Sequence, residues 1–175
     1  MTNGKKSDYN ITLTGFMGTG KTTVGRMLAE SLGFEFVDTD ALIEETSGKG
    51  IPEIFATMGE GAFRQLEQEA AQALAQKRGQ IISTGGRMML DPANKAALEP
   101  TGPIFCLVAS VDEIFRRVTA DAEGIERPLL KGDDPKGRIE SLLAERRDLY
   151  GQYPQIDTEG LTPDAIRDEI LSRLT

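Results

Sequence analysis

Residues 15–23 read GFMGTGKTT, and no other stretch restricts the fold as much. The stretch fits G-x-x-x-x-G-K-[ST], a pattern that grips phosphate where a strand ends and a helix begins. Gly15, Gly18 and Gly20 let successive backbone N–H groups curl inward around phosphate oxygens. Thr19 and Thr23 complete the loop, and the helix starting near Lys21 points its positive end at the same place. Lys21 is expected to reach the β- and γ-phosphates of a nucleotide, and Thr22 to put its hydroxyl on Mg²⁺. The flanks agree. NITLTGF alternates Ile11 and Leu13 ahead of Gly15, as a strand does. Val24, Leu28 and Leu32 then recur at helical spacing and stop at Gly33, the residue type that closes helices.

The same alternation continues along the chain. FEFV, QIIST, PIFCLVA and PQIDT read as strands. Helices are expected from near Asp40 to Gly48, from about Gly59 to Gly79, after Ser110, after Asp134-Pro135 and after Thr162-Pro163. Strand then helix, repeated, predicts an α/β fold with a parallel sheet covered on both faces. With 175 residues, no repeat and no linker, a single domain over 1–175 is expected.

Composition removes several functions. The net charge of −8 argues against a nucleic-acid surface, so any anion must be held by locally placed Arg and Lys. The chain has no histidine, which excludes Ser/His and Cys/His nucleophiles and the zinc-protease helix. Cys106 is the one cysteine, no apolar run is long enough to span a membrane, and MTNGKKSDYN lacks a signal-peptide core. A cytoplasmic monomer is expected. The GTPase order of D-x-x-G before N-K-x-D is missing: DAEG at 121 and DTEG at 157 both follow the only NK, at 94.

Gripping a nucleotide leaves open where its phosphate goes. FVDTD, residues 36–40, leaves the second strand at the sheet edge where α/β proteins bind ligands. If the stretch stays extended, Asp38 and Asp40 point the same way. One could hold the Mg²⁺ shell and the other accept a hydrogen bond from an acceptor hydroxyl; alternatively, Asp40 caps the next helix. Arg64 and Glu67 stand three apart on a helix, so they pair either on the surface or to aim a flat guanidinium at a carboxylate. In STGGRMM, Gly85 and Gly86 allow a ligand close to the backbone, and Ser83 could join the metal's water shell. Arg127 lies in ERPLLKG, where phosphoryl transfer would use an arginine. Of Arg146 and Arg147, roughly 100° apart on one helix, at most one can enter a site.

Taken in order, GFMGTGKTT, DTD, IPEIFATMGEGAFRQLE, STGG, RPLL and RRDLY resemble the shikimate kinase family from about Asn10 to Leu174. The resemblance implies a five-stranded parallel sheet of the nucleoside-monophosphate-kinase type and ATP-dependent phosphorylation of the 3-hydroxyl of shikimate. It assigns the phosphate loop to 15–23, an acceptor region to about 38–68 and a lid to about 117–132. It further implies Asp40 as the candidate base on the acceptor hydroxyls, Asp38 beside Mg²⁺, and Arg64 and Arg146 on the shikimate carboxylate. Glu67 orients Arg64, Gly86 touches substrate through its backbone, Arg127 reaches the ATP phosphates, and Arg117 packs near adenine.

Two departures stand out. Arg87 occupies the place where the family usually has a third glycine, and the lid, ADAEGIERPLL, is acidic. Arg87 either turns outward, where Asp91 could draw it, or adds a third cation to the acceptor pocket; outward is expected, because an unpaired buried arginine is costly. Two rival functions remain: a kinase for another hydroxy acid such as gluconate, and a nucleotide-binding module that has lost transfer.

Overall fold

The computed structural model describes residues 7–120 and 130–175. Five parallel strands form one sheet: β1 (Ile11–Gly15), β2 (Glu35–Asp38), β3 (Gln80–Ser83), β4 (Ile104–Val108) and β5 (Gln155–Asp157). Their order across the sheet is β2-β3-β1-β4-β5. Strand β1 pairs with β3 on one side (Ile11 opposite Ile81) and β4 on the other (Leu13 opposite Phe105). The chain crosses from one half of the sheet to the other around β1. Ligands of open α/β sheets bind beyond the carboxyl ends of the strands at such a point, and the phosphate loop leaves β1 there.

Eight α-helices cover the described sheet: α1 (Lys21–Leu32), α2 (Thr39–Ser47), α3 (Ile51–Thr57), α4 (Gly59–Ala75), α5 (Pro92–Leu98), α6 (Val111–Ala120), α7 (Pro135–Tyr150) and α8 (Pro163–Ser172). One apolar cluster joins Val24 and Leu28 of α1 and Ile166 and Ile170 of α8 to Ile11, Leu13, Ile81 and Leu107. A second joins Phe63 and Leu74 of α4, Leu98, Ile114 and Ile139 to Ile82 and Cys106. Both faces of β1 are therefore buried, Thr12 and Thr14 included. The expected alternation of apolar and polar residues marks which helix layer each side chain meets, not core against solvent. Each fully buried Leu or Ile contributes roughly 1.5–3 kcal/mol.

The predicted punctuation holds at several ends. Gly33 and Gly48 close α1 and α2 in the left-handed conformation. Ser110, Asp134 and Thr162 accept hydrogen bonds from the first turns of α6, α7 and α8. Helix α4 ends earlier than expected, at Ala75, and a turn follows to Gly79. Helices α3 and α5 are additions. Each has seven residues, too few to show a period, although Asp91-Pro92 carries the cap-proline signal that also opens α7.

Candidate active site

The carboxyl ends of β1, β2 and β3 open into a cleft of about 2020 Å³. A site for one small ligand typically has roughly 300–1,000 Å³, so two ligands have room side by side. The cleft is lined by residues 17–23 of the phosphate loop, Asp38 and Asp40, Arg64 and Glu67, the turn 83–87, Arg117 and Arg146. The structure thus gathers the residues singled out along the sequence, with two exceptions. Arg127 lies outside the described residues. Gly15 lies beneath the loop rather than on the cleft wall: its φ is +132°, and a Cβ there would sit 2.3 Å from the Leu107 carbonyl oxygen.

Within the loop, Lys21 is half-buried and its Nζ donates to the carbonyls of Gly15 and Phe16, each at 2.8 Å. Two of its three N–H bonds thus hold the loop, and one is left for a ligand oxygen. Burial lowers its pKa to about 8, against the opposing pull of Cys106, Asp40 and Asp38. The Thr19 hydroxyl is spent inside the loop on the Phe16 carbonyl at 2.8 Å, which leaves only its backbone for a ligand. Thr22 and Thr23 are exposed to the cleft on the first turn of α1.

Asp38 and Asp40 share the cleft, though not for the reason expected. The backbone turns helical at Thr39, so the pair does not lie on an extended strand. Asp38, not Asp40, caps α2, with one carboxylate oxygen accepting from the Ala41 N–H at 3.0 Å. Its register partner on β3 is Ser83, which also lines the cleft. Asp40 is left free of capping. Burial, followed by repulsion from Asp38 and Glu67, raises its pKa to about 6, and Lys21 partly offsets this.

The opposite wall carries the arginines. Arg64 Nη1 donates to Glu67, only 2% exposed, at 2.5 Å, and Nη2 donates to Glu60 at 3.2 Å. The Arg64–Glu67 pair is therefore no surface pair; burial raises the Glu67 pKa against the opposing hydrogen bond from Arg64. The Nε of Arg64 is buried and has no hydrogen-bond partner among the described residues. Arg146 is 5% exposed, lies 5.3 Å from the Phe16 ring centroid and has no carboxylate partner among the described residues. Its neighbour Arg147 faces solvent, as the spacing required.

Gly85 and Gly86 fill the space between these groups. A Cβ on Gly85 would lie 2.9 Å from an Asp40 carboxylate oxygen, and one on Gly86 3.1 Å from Nη1 of Arg146. Arg87 turns to the rim, half exposed, and pairs with Glu60 at 3.2 Å rather than with Asp91. Asp91 is engaged elsewhere: it caps α5 and accepts from Gln68. Arg117 donates to Glu113, to the Gly18 carbonyl at 3.2 Å and to Thr158, which ties α6 to the phosphate loop. Glu60 escaped sequence reasoning, although its i,i+4 spacing to Arg64 was a signal that could have found it.

A phosphate loop on the central strand of a 2-3-1-4-5 parallel sheet, facing an aspartate and under-paired arginines across one cleft, defines a phosphate-loop kinase of small molecules. The family model described as shikimate kinase matches residues 17–175, and the chain belongs to that family. A shikimate kinase of Thermodesulfovibrio yellowstonii is 45% identical over 93% of this chain and 92% of its own length. The structure of shikimate kinase from Acinetobacter baumannii in complex with shikimate superposes with a TM-score of 0.88 at 34% identity, covering 97% of this chain and 94% of that one. A gluconokinase from Sinorhizobium meliloti is similar at a TM-score of 0.61 and 17% identity, covering 97% of this chain and 95% of that one, and shares the fold alone.

Proposed function

We propose that the chain transfers the γ-phosphoryl group of ATP to the 3-hydroxyl of shikimate. The observation that carries this reading is Arg146, a buried cation without a carboxylate partner among the described residues, facing the Gly86 turn beside Asp40 and the phosphate loop. Burying a charge without a partner is costly. A ligand carboxylate at this wall supplies the partner, and the guanidinium of Arg64, whose side chain is 27% exposed on the same cleft, can donate to the same group. With its carboxylate so held, a compact hydroxylated ring acid turns a hydroxyl towards Asp40.

Asp40, with its pKa near 6, is mostly ionised at neutral pH and can accept the hydroxyl proton. The acceptor oxygen forms a bond to the γ-phosphorus, the bond from that phosphorus to the β,γ-bridging oxygen breaks, and ADP leaves with the electron pair. Lys21 and the loop amides hold the phosphates, and Arg117 flanks the nucleotide from α6. Arg127 is the lid arginine that the family pattern assigns.

Thr22 and Asp38 suit Mg²⁺. The Thr22 hydroxyl is open to the cleft, and Asp38 uses one carboxylate oxygen as a cap and keeps the other. Among the described residues there is no cluster of three or more acidic, Cys or His ligands. That sparse donor set fits an ion that takes most of its oxygens from nucleotide and water. When bound, the ion neutralises charge that develops on the phosphates.

The proposed protein works as one domain, with no nucleic-acid partner, as a monomer in the cytoplasm. Among the described residues no helix is long and apolar enough to cross a membrane. Coupled measurement of ADP release tests the activity. ADP should appear with ATP and shikimate and stay at background with gluconate or without acceptor. Equal turnover with gluconate, or turnover indifferent to shikimate, would overturn the assignment.

A further inference from the structure

The acceptor wall contains a buried hydroxyl to which the family pattern assigns no role in this chain. Tyr150 is the last residue of α7 and is 4% exposed. Its hydroxyl donates to the Gly86 carbonyl at 2.5 Å. The same oxygen accepts from Arg146 Nη1 at 3.5 Å, a long contact. A phenol has one proton to give, and here it goes to the turn. Its lone pairs remain for the guanidinium, which can only donate. Burial raises the Tyr150 pKa, with Arg146 opposing, so the proton stays on the oxygen at neutral pH.

The Gly86 carbonyl belongs to the peptide that joins Gly86 to Arg87. Two glycines in succession leave this turn with little steric restraint of its own. The turn is closed by the Met88 N–H on the Gly85 carbonyl at 3.1 Å, and the Tyr150 hydroxyl anchors the peptide inside it from α7. Arg146, one turn earlier on α7, meets that hydroxyl from the other side. One oxygen thus ties together the two parts of the wall that face an acceptor carboxylate: the glycine turn and the buried arginine.

Resting on the acceptor site proposed above, we infer that Tyr150 is a positioning residue for the acceptor, holding the Gly86–Arg87 peptide and the Arg146 guanidinium in register through one hydroxyl. Among the described residues its hydroxyl bonds to Gly86 and Arg146 and not to the phosphate loop. Its loss should therefore raise the acceptor KM and spare nucleotide binding. A buried hydrogen bond of this kind corresponds to roughly a 3- to 10-fold change.

The test is Tyr150→Phe, which keeps the buried ring and removes only the hydroxyl. Two measurements are made on the full chain: steady-state ADP release with each substrate varied, and hydrogen exchange of the segment 84–88. The expected result is a shikimate KM raised roughly 3- to 10-fold with ATP KM within about twofold, together with faster exchange in 84–88. Circular dichroism and the melting temperature verify the fold. Unchanged acceptor KM, or equal losses for both substrates, would overturn the positioning role. Wild-type protein without shikimate-dependent turnover would count against the proposed function instead. The exchange measurement then still decides whether the hydroxyl holds the turn: unchanged exchange in the variant overturns the inference by itself.

Discussion

Arg87 breaks the glycine run of the acceptor turn, and its removal is a graded test of the site. Its partner Glu60 is 58% exposed, and Arg87 itself is 51% exposed. An ion pair so open to water contributes roughly 0–1 kcal/mol. Arg87→Gly also adds backbone freedom next to two glycines, which costs about 0.5–1 kcal/mol relative to alanine. Together these predict a stability loss of roughly 0.5–2 kcal/mol for Arg87→Gly and less for Arg87→Ala. In the kinetics, Glu60 becomes the partner of Arg64 alone, from whose Nη2 it already accepts a hydrogen bond at 3.2 Å. The Arg64 fork should then hold an acceptor carboxylate slightly less well. We expect the shikimate KM and kcat of Arg87→Gly to stay within about fivefold of wild type, the factor set by about 1 kcal/mol. The assay is coupled ADP release at low and high salt, with thermal melting alongside. The small KM difference between wild type and variant should shrink at high salt, because surface pairs are screened. A gain above tenfold would mean that Arg87 obstructs the pocket and that another acceptor is preferred. A loss above tenfold would mean that it binds the acceptor directly. Either result refutes the rim placement.

Lys21→Ala should lower kcat by roughly 10²-fold or more, as removal of a preorganised donor does, while circular dichroism shows a retained fold; near-wild-type turnover would remove the kinase reading. Arg64→Lys keeps the charge and loses the two-pronged geometry, so the shikimate KM should rise with little change in the ATP KM; a collapse of ATP affinity would place Arg64 on the nucleotide side. The Asp40 pKa of about 6 predicts that kcat/KM for shikimate rises with pH through an inflection near 6 and that Asp40→Asn is inactive. The sign for stability is opposite. A carboxyl whose pKa is raised on folding stabilises the fold below its unfolded value, and that stability is lost as pH rises through the folded one. Asp40→Asn should therefore melt higher than wild type at pH 7, by an amount on the order of 1–3 kcal/mol, and the gain should vanish near pH 4.

Much of this molecule can be read from its residues because local chemistry dictates it. The loop at 15–23 needs a strand before it and a helix after it, and it has both. Gly33, Gly48, Ser110, Asp134 and Thr162 end or start helices through their own backbone or side-chain groups. What sequence reasoning missed depends on partners distant in the chain or on helices too short to show a period. Arg87 finds Glu60, 27 residues away, only after α4 is laid beside the β3 turn. Tyr150 reaches Gly86 across 64 residues. The roles of Asp38 and Asp40 turn on where the backbone changes from strand to helix, a shift of one residue that spacing cannot fix.

Gly85 and Gly86 have a further consequence for how this enzyme family can diversify. One wall of the proposed acceptor pocket is bare backbone at Gly85 and Gly86, and a methyl group on Gly85 would sit 2.9 Å from the carboxylate of Asp40. A substitution at Gly85 would displace Asp40, the proposed partner of the acceptor hydroxyl. If the proposed acceptor site is correct, a change of acceptor preference is expected in Ile51, Phe55, Phe63 and Arg64, which line the same cleft from α3 and α4. Of these, Phe55 is already 40% exposed, so its replacement sacrifices little core packing. Libraries aimed at new hydroxy-acid acceptors should leave the turn unchanged and vary the facing helices.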